Sequence, residues 1–137
     1  RYRTSRLPPG ETARLLIVED NEINRLVLSK QLELLGYDYA VAIDGAEGFQ
    51  LWQRGGFDLV LSDCHMPNVD GFEMTALIRE AEAKEHRHPT PIIAVTANAL
   101  EGEAERCLAA GMDGYLAKPV ELESLREKLA TFLSPAE

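Results

Sequence analysis

Short apolar runs alternate along the chain with longer stretches in which apolar and polar residues follow a helical period. The short runs are rich in Val, Ile and Leu, and three are almost continuously apolar, which is typical of strands covered on both faces of a sheet. Five such runs are present: RLLIV (14–18), YAVAI (39–43), DLVLS (58–62), IIAVT (92–96) and YLA (115–117). The pattern predicts five β-strands, each followed by a helix.

The helical stretches begin and end at residues that favour those positions. Asn21 is a good N-cap for the first helix, and Gly36 ends it. The other predicted helices cover about 46–54, 71–85, 99–110 and 121–133. Alternation of strand and helix predicts a (βα)5 fold, a three-layer α/β sandwich with a parallel sheet. Right-handed crossovers that cover both faces favour the strand order 2-1-3-4-5.

The chain of 137 residues is long enough for one domain. Pro8, Pro9 and Gly10, with little apolar periodicity around them, predict a linker over residues 1–13. The folded domain is expected over 14–133 and a short tail over 134–137. Because the sequence starts at Arg1 and not at Met, we expect it to be a piece of a longer polypeptide.

Charge limits the partners of this chain. It has 14 Lys and Arg against 23 Asp and Glu, a formal net charge of −9. Such an acidic chain does not suit a phosphate backbone, so we expect no nucleic-acid partner. No run approaches the roughly 20 apolar residues of a membrane span, so we expect no direct membrane contact. Cys64 and Cys107 form neither a metal-spaced pair nor a disulfide framework, which favours reduced thiols in the cytoplasm.

Polar residues stand at the carboxyl ends of four predicted strands, where sheets of this kind bind ligands. They are Glu19 and Asp20, Asp63, Thr96, and Lys118. Three neighbouring carboxylates repel one another unless a cation lies between them, and an all-oxygen set favours Mg²⁺. Asp63 is a suitable nucleophile for a phosphoryl group, with charge and hydrogen bonds supplied by Lys118 and Thr96. The alternative is that the acids only cap the helices that follow.

These residues lie in motifs that resemble the receiver domain of two-component response regulators. The motifs are VEDNEINR (18–25), LVLSDCHMPNVDGFE (59–73), IIAVTANAL (92–100) and GMDGYLAKP (111–119). The resemblance covers residues 14–133 and implies a flavodoxin-like receiver fold.

The resemblance also implies a role for each site residue. Asp63 matches the phosphoacceptor. Glu19 and Asp20 match the acidic pair that holds Mg²⁺, and the backbone carbonyl of His65 matches a further ligand, without a role for the imidazole. Thr96 and Lys118 match the phosphoryl-sensing hydroxyl and the charge-neutralising lysine, and Tyr115 matches the aromatic switch residue. Glu19 departs from the family pattern, in which Asp is commoner, so its mode of coordination is left open.

The implied function is to accept a phosphoryl group from a phosphohistidine onto Asp63 with Mg²⁺. Two features favour the receiver of a hybrid sensor histidine kinase: the basic, proline-containing start and the absence of a DNA-binding segment after the last helix. The motifs resemble the BvgS or EvgS type of these kinases. The expected partners are a histidine kinase domain of the same polypeptide and a histidine phosphotransfer domain. A weak homodimer is left open, as is anchoring of the parent protein in the inner membrane.

Other functions are less well supported. A stand-alone single-domain response regulator has the same motifs, so only the rest of the polypeptide would distinguish it. An aspartyl phosphatase needs an acid two residues beyond its nucleophile, where this chain has His65. A flavin module needs a phosphate-binding loop after the first strand, and a degenerate receiver would lack one of the key residues.

Overall fold

The computed structural model describes residues 5–7 and 12–135. The strands are β1 (Ser5–Leu7), β2 (Arg14–Val18), β3 (Asp38–Ala42), β4 (Leu59–Asp63), β5 (Ile92–Thr96), β6 (Gly114–Ala117) and β7 (Leu133–Pro135). Five of them form a parallel sheet in the order β3-β2-β4-β5-β6. Counted by the five predicted runs, this order is 2-1-3-4-5, so the predicted fold class and topology are confirmed.

The described helices lie close to their predicted positions. They are α1 (Glu22–Leu35), α2 (Gly45–Arg54), α3 (Gly71–Glu85), α4 (Ala104–Ala109) and α5 (Leu122–Phe132). The fourth predicted helix, 99–110, is divided, because Ala99–Glu103 form a π-helical turn before α4. Gly102 within this turn has φ +78°, a left-handed conformation that an α-helix does not include. Within the described ranges, no helix has both the length and the apolar composition that a bilayer span needs.

Helices cover both faces of the sheet, which gives the three predicted layers. Along β2, Leu15 and Ile17 belong to the buried cluster that includes residues of α1 and α5. Leu16 and Val18 belong to the opposite cluster, with residues of α2, α3 and α4. All residues of β4 and β5 are buried. This two-sided burial explains why the strands have apolar runs without alternating polar positions.

A short parallel ladder joins the two ends of the described chain. β1 pairs with β7, with Ser5 opposite Leu133 and Leu7 opposite Pro135. The sequence predicted neither strand, because residues 1–13 have a linker composition and the last helix was expected to reach residue 133. The predicted domain limits remain a prediction, and residues 1–4, 8–11 and 136–137 of the linker and tail lie outside the described residues.

Close backbone contact sets the position at which α3 begins. A Cβ atom on Gly71 would lie 2.2 Å from the carbonyl oxygen of Asp63. The Gly71 N–H also donates to the carbonyl oxygen of Cys64 at 3.0 Å. No larger side chain fits here, so the start of α3 packs directly against the end of β4.

Candidate functional site

The predicted site residues lie along one edge of the sheet. Glu19 directly follows β2, Asp63 and Thr96 end β4 and β5, and Lys118 directly follows β6. These four strands are consecutive neighbours in the parallel sheet, so their carboxyl ends share one edge. The fold thus brings together residues that are separated by up to a hundred positions in the sequence.

Three carboxylates form a compact acidic cluster at this edge. Each of Glu19, Asp20 and Asp63 offers an oxygen atom, and these atoms lie within 4.8 Å of one another. Glu19 and Asp63 are buried, whereas Asp20 is exposed. Carboxylate oxygen ligands at this spacing suit a hard divalent cation such as Mg²⁺. The exposed side of the cluster leaves room for the several waters that Mg²⁺ retains. The donor set therefore fits the predicted metal.

The two carboxylate oxygens of Glu19 have different neighbours. Its Oε2 accepts a hydrogen bond from the Asn21 N–H at 3.1 Å. Its buried Oε1 accepts no hydrogen bond from the described residues, although the Lys118 ammonium lies 3.2 Å away. The ammonium compensates the charge of this oxygen, and a carboxylate oxygen can accept more than one partner. The position of Oε1 therefore suits a ligand that approaches from the acidic cluster.

The Lys118 ammonium lies between two of these acids. Its Nζ is 3.3 Å from Asp63 Oδ2 and 3.2 Å from Glu19 Oε1. Partial burial of Lys118 acts to lower its pKa, but the charges of Asp63 and Glu19 outweigh burial, so that the pKa is raised. The ammonium therefore stays charged beside Asp63 at neutral pH. The Lys118–Pro119 peptide bond is cis.

Burial has the opposite effect on the neighbouring acid. Desolvation is the largest influence on the pKa of Glu19 and raises it, and the charge of Asp63 acts in the same direction. The Asn21 N–H and the Lys118 ammonium lower the pKa without cancelling the increase. The fold thus keeps a carboxylate at this edge at some electrostatic cost, which a divalent cation bound there would offset.

Arg25 holds the loop that carries the acidic pair. Its Nη1 donates to the carbonyl oxygen of Glu19 at 2.9 Å and to that of Asp20 at 3.1 Å. Arg25 was not among the site residues predicted from the sequence. Arg25 lies on the first turn of a helix that follows two acids, and a guanidinium there can reach backward to loop carbonyls. This position could have indicated its role from the sequence.

Thr96 and Tyr115, the two predicted switch residues, differ in their exposure to solvent. Thr96 is buried at the end of β5, and its hydroxyl accepts a hydrogen bond from the Asn98 N–H at 3.0 Å. Tyr115 pairs with Ala94 across the β5–β6 ladder and is 38% exposed. The Lys128 ammonium lies 5.7 Å from the centre of its ring. Tyr115 therefore faces outward in this structure.

The His65 imidazole contacts α4 and not the acids. Its Nε2 lies 2.5 Å from Oε1 of Glu103, a buried residue that directly precedes α4. Arg106 of α4 lies 3.8 Å from the other Glu103 oxygen and stacks on Phe72, with 4.4 Å to the ring centre. The imidazole is thus engaged away from the acidic cluster, and the role of the His65 backbone carbonyl at the metal site remains a prediction.

Comparison with known families then decides the identity of the fold. Residues 15–130 match the family described as the response regulator receiver domain. The chain belongs to this family. The resemblance predicted from the sequence motifs is confirmed.

This receiver domain is similar to segments of much longer sensor proteins. It is 42% identical over 118 residues to the sensor histidine kinase RcsC of Salmonella typhi, covering 86% of this chain and 12% of RcsC. It is 40% identical over 123 residues to the virulence sensor protein BvgS of Bordetella bronchiseptica, covering 88% of this chain and 10% of BvgS. The chain therefore spans only about an eighth or less of the length of these relatives.

Solved structures support the same assignment. The receiver domain of the Pseudomonas aeruginosa PAO1 sensor histidine kinase PA1611, which has a magnesium ion in its active-site cleft, gives a TM-score of 0.79 at 40% identity. The match covers 89% of this chain and 98% of that one. A chain of the Saccharomyces cerevisiae complex between the phosphotransfer protein Ypd1 and the receiver domain of Ssk1 gives 0.84 at 31% identity, with 88% of each chain covered.

Glu19→Gln is expected to raise the free energy of unfolding of the receiver domain near neutral pH without Mg²⁺. Because the folded-state pKa of Glu19 exceeds its ordinary value of 4.5, the folded state favours the protonated acid. This preference adds fully to the free energy of unfolding below pH 4.5, and the added stability is lost as the pH rises through the folded-state pKa of Glu19. The neutral amide that replaces the Glu19 carboxylate in the variant keeps that stability as the pH rises. The advantage of the variant should therefore shrink as the pH falls toward 4.5.

Urea unfolding in the presence of EDTA at several pH values measures this difference. Glu22→Gln, which changes an exposed carboxylate on α1, is the matched control and should show little effect. A lower free energy of unfolding for Glu19→Gln at neutral pH would contradict the assignment of a costly buried charge.

Proposed function

We propose that this receiver domain accepts a phosphoryl group from a phosphohistidine onto Asp63, with Mg²⁺ held by Glu19, Asp20, Asp63 and the backbone carbonyl of His65. The observation that carries the proposal is the acidic cluster within 4.8 Å beside an ammonium 3.3 Å from Asp63. A nucleophile, a metal-binding set and a fixed positive charge are the components that phosphoryl transfer requires.

The proposed reaction is an in-line displacement at phosphorus. A carboxylate oxygen of Asp63 attacks, the N–P bond to the donor imidazole breaks, and an acyl phosphate forms on Asp63. The Lys118 ammonium stabilises the negative charge that passes to the phosphoryl oxygens. Mg²⁺, when bound, would supply further positive charge to the same oxygens.

Thr96 and Tyr115 are proposed to convert phosphorylation into a conformational change. The Thr96 hydroxyl, now paired with Asn98, would turn to the phosphoryl group, and Tyr115 would move inward from its outward position. The support for this proposal is that Thr96 ends the strand next to that of Asp63, and that Tyr115 lies on the adjoining strand.

The partners are proposed from the relatives. We propose a kinase domain in the same polypeptide, because RcsC is a sensor histidine kinase, and a histidine phosphotransfer domain, because Ypd1 is the partner in a similar structure. Ile23, Leu26 and Val27 form an exposed apolar face on α1. A cavity of about 120 Å³, lined by Val27 and by Lys118 of the site, joins this face to the acidic cluster and supports docking there.

The location and assembly are also proposals. The unbonded thiols of Cys64 and Cys107 support a cytoplasmic position for this domain. The membrane anchor of the parent protein is proposed by analogy with sensor kinases. Formation of a weak homodimer also remains a proposal. Sedimentation with and without phosphodonor would test it by measuring the molecular mass in solution.

Intact-mass measurement after incubation with Mg²⁺ and acetyl phosphate tests the proposed function. We expect one added phosphoryl group that is lost on treatment with hydroxylamine, as an acyl phosphate should be. EDTA in place of Mg²⁺ should prevent the addition. Catalytic turnover of a generic phosphomonoester such as p-nitrophenyl phosphate, without a phosphorylated protein, would instead indicate the phosphatase.

A further inference from the structure

Two thiols from distant parts of the chain meet beside the phosphoacceptor. Cys64 directly follows Asp63, and Cys107 lies on α4. Their Sγ atoms are 3.5 Å apart, and both residues are completely buried. They are 43 positions apart in the sequence, and they are free cysteines. This pair plays no part in the proposed phosphoryl transfer.

We propose that Cys64 and Cys107 are a redox modification site, at which a peroxide converts the two thiols into a disulfide that slows phosphorylation of Asp63. The inference that the bond forms rests on the geometry of the two sulfur atoms and not on the proposed function. Its effect on phosphorylation rests on the function proposed above.

The reaction is balanced with a peroxide as the sole oxidant. One thiol attacks a peroxide oxygen, the O–O bond breaks, and a sulfenic acid and one water form. The second thiol then attacks that sulfur, which forms the S–S bond and releases a second water. Two S–H bonds are lost and two electrons pass from sulfur to oxygen. No other co-reactant is needed.

The geometry favours the second step because the two sulfur atoms are already neighbours. A disulfide has an S–S distance of about 2.0 Å, whereas the Sγ atoms are now 3.5 Å apart. Closing this gap needs a modest approach of α4 toward the end of β4. Within the described chain, no residue stands between the two sulfur atoms, which are within hydrogen-bond distance of each other.

The short helix α4 is the element that can open to admit the oxidant. It has six residues, follows a π-helical turn, and has no side-chain hydrogen bond at its N-cap. Leu100 before it and Leu108 within it are exposed. Segments held by few buried contacts open locally at lower free-energy cost than the rest of a fold. Both thiols are completely buried, so oxidation is expected to depend on this opening.

The bond would act on the site through the backbone. Cys64 lies between Asp63, the nucleophile, and His65, whose carbonyl is a proposed metal ligand. Drawing its sulfur toward α4 shifts both neighbours, and misplacement of reacting groups by about 1 Å can slow a reaction up to 100-fold. We therefore expect the oxidised protein to accept a phosphoryl group at least about tenfold more slowly.

The first measurement counts free thiols in the full chain. The protein is treated with hydrogen peroxide, unfolded in urea with iodoacetamide, and analysed by intact mass. We expect two added carbamidomethyl groups before oxidation and none after it, with a monomer on a non-reducing gel. Two thiols that still react after prolonged oxidation, or disulfide-linked dimers alone, would overturn the assignment. Thiols converted to sulfinic acid without an S–S bond would also overturn it.

The second measurement compares phosphorylation by acetyl phosphate in the reduced, oxidised and re-reduced protein. We expect slow labelling only in the oxidised form and full recovery with dithiothreitol. The double variant Cys64→Ala/Cys107→Ala is the matched control, because it has no thiol to oxidise and should be labelled equally before and after peroxide. Equal rates in all forms would overturn the regulatory effect. Absence of labelling in the reduced wild type would refute the proposed function, while the thiol count would still decide whether the disulfide forms.

Discussion

Asp63→Asn is expected to abolish phosphorylation by acetyl phosphate. The amide nitrogen and oxygen of Asn are far weaker nucleophiles than a carboxylate, so no acyl phosphate can form at this position. The substitution is nearly isosteric and removes a negative charge from the cluster with Glu19 and Asp20. The fold should therefore persist, with a free energy of unfolding equal to or above that of the wild type in Mg²⁺-free buffer. Intact mass and urea unfolding measure the two effects.

The matched control is Asp38→Asn, which makes the same chemical change at the exposed start of β3, at the opposite edge of the sheet. This variant should be labelled like the wild type. Hydroxylamine-sensitive phosphate on Asp63→Asn at wild-type levels would show that another residue is the acceptor.

Lys118→Met should slow phosphorylation by about 100-fold, the usual effect of removing one group that stabilises charge in a transition state. The ammonium lies 3.3 Å from Asp63 and 3.2 Å from Glu19, so its loss leaves the acids more negative. Mg²⁺ should therefore bind as tightly as before or more tightly. The rate of labelling and a Mg²⁺ titration followed by the thermal unfolding midpoint give the two quantities separately.

Lys128→Met, on α5 beside Tyr115, is the control for loss of a positive charge outside the acidic cluster. It should leave both quantities near their wild-type values. A parallel loss of labelling and Mg²⁺ binding in Lys118→Met would mean that the lysine maintains the shape of the site, and an unchanged rate would exclude any role in the reaction.

The sequence predicted those features that depend on local pattern and on the geometry common to parallel sheets. The buried strands β4 and β5 follow from apolar runs that need cover on both faces. The meeting of Glu19, Asp63 and Lys118 follows because the carboxyl ends of parallel strands share one edge. Neither inference requires knowledge of how individual side chains pack.

Features that depend on packing between distant segments were not predictable in this way. The contact between Cys64 and Cys107 requires the register of α4 against β4, and the pairing of His65 with Glu103 has the same requirement. The π-helical turn includes Gly102 at φ +78°, a conformation that the helical period of the flanking residues does not indicate. The β1–β7 ladder joins two segments whose composition does not favour strands.

The two residues that follow Asp63 both reach the same short helix: Cys64 through Cys107, and His65 through Glu103 at its start. Arg25, by contrast, ties the acidic loop to α1, on the other face of the sheet. A displacement at Asp63 would therefore reach α4 through both contacts, in addition to the proposed route through Thr96 and Tyr115, and would not need α1 to move. If the proposed donor docks on α1, it lies on the face of the sheet opposite α4, so that donor binding and the response to phosphorylation would use different faces of the domain.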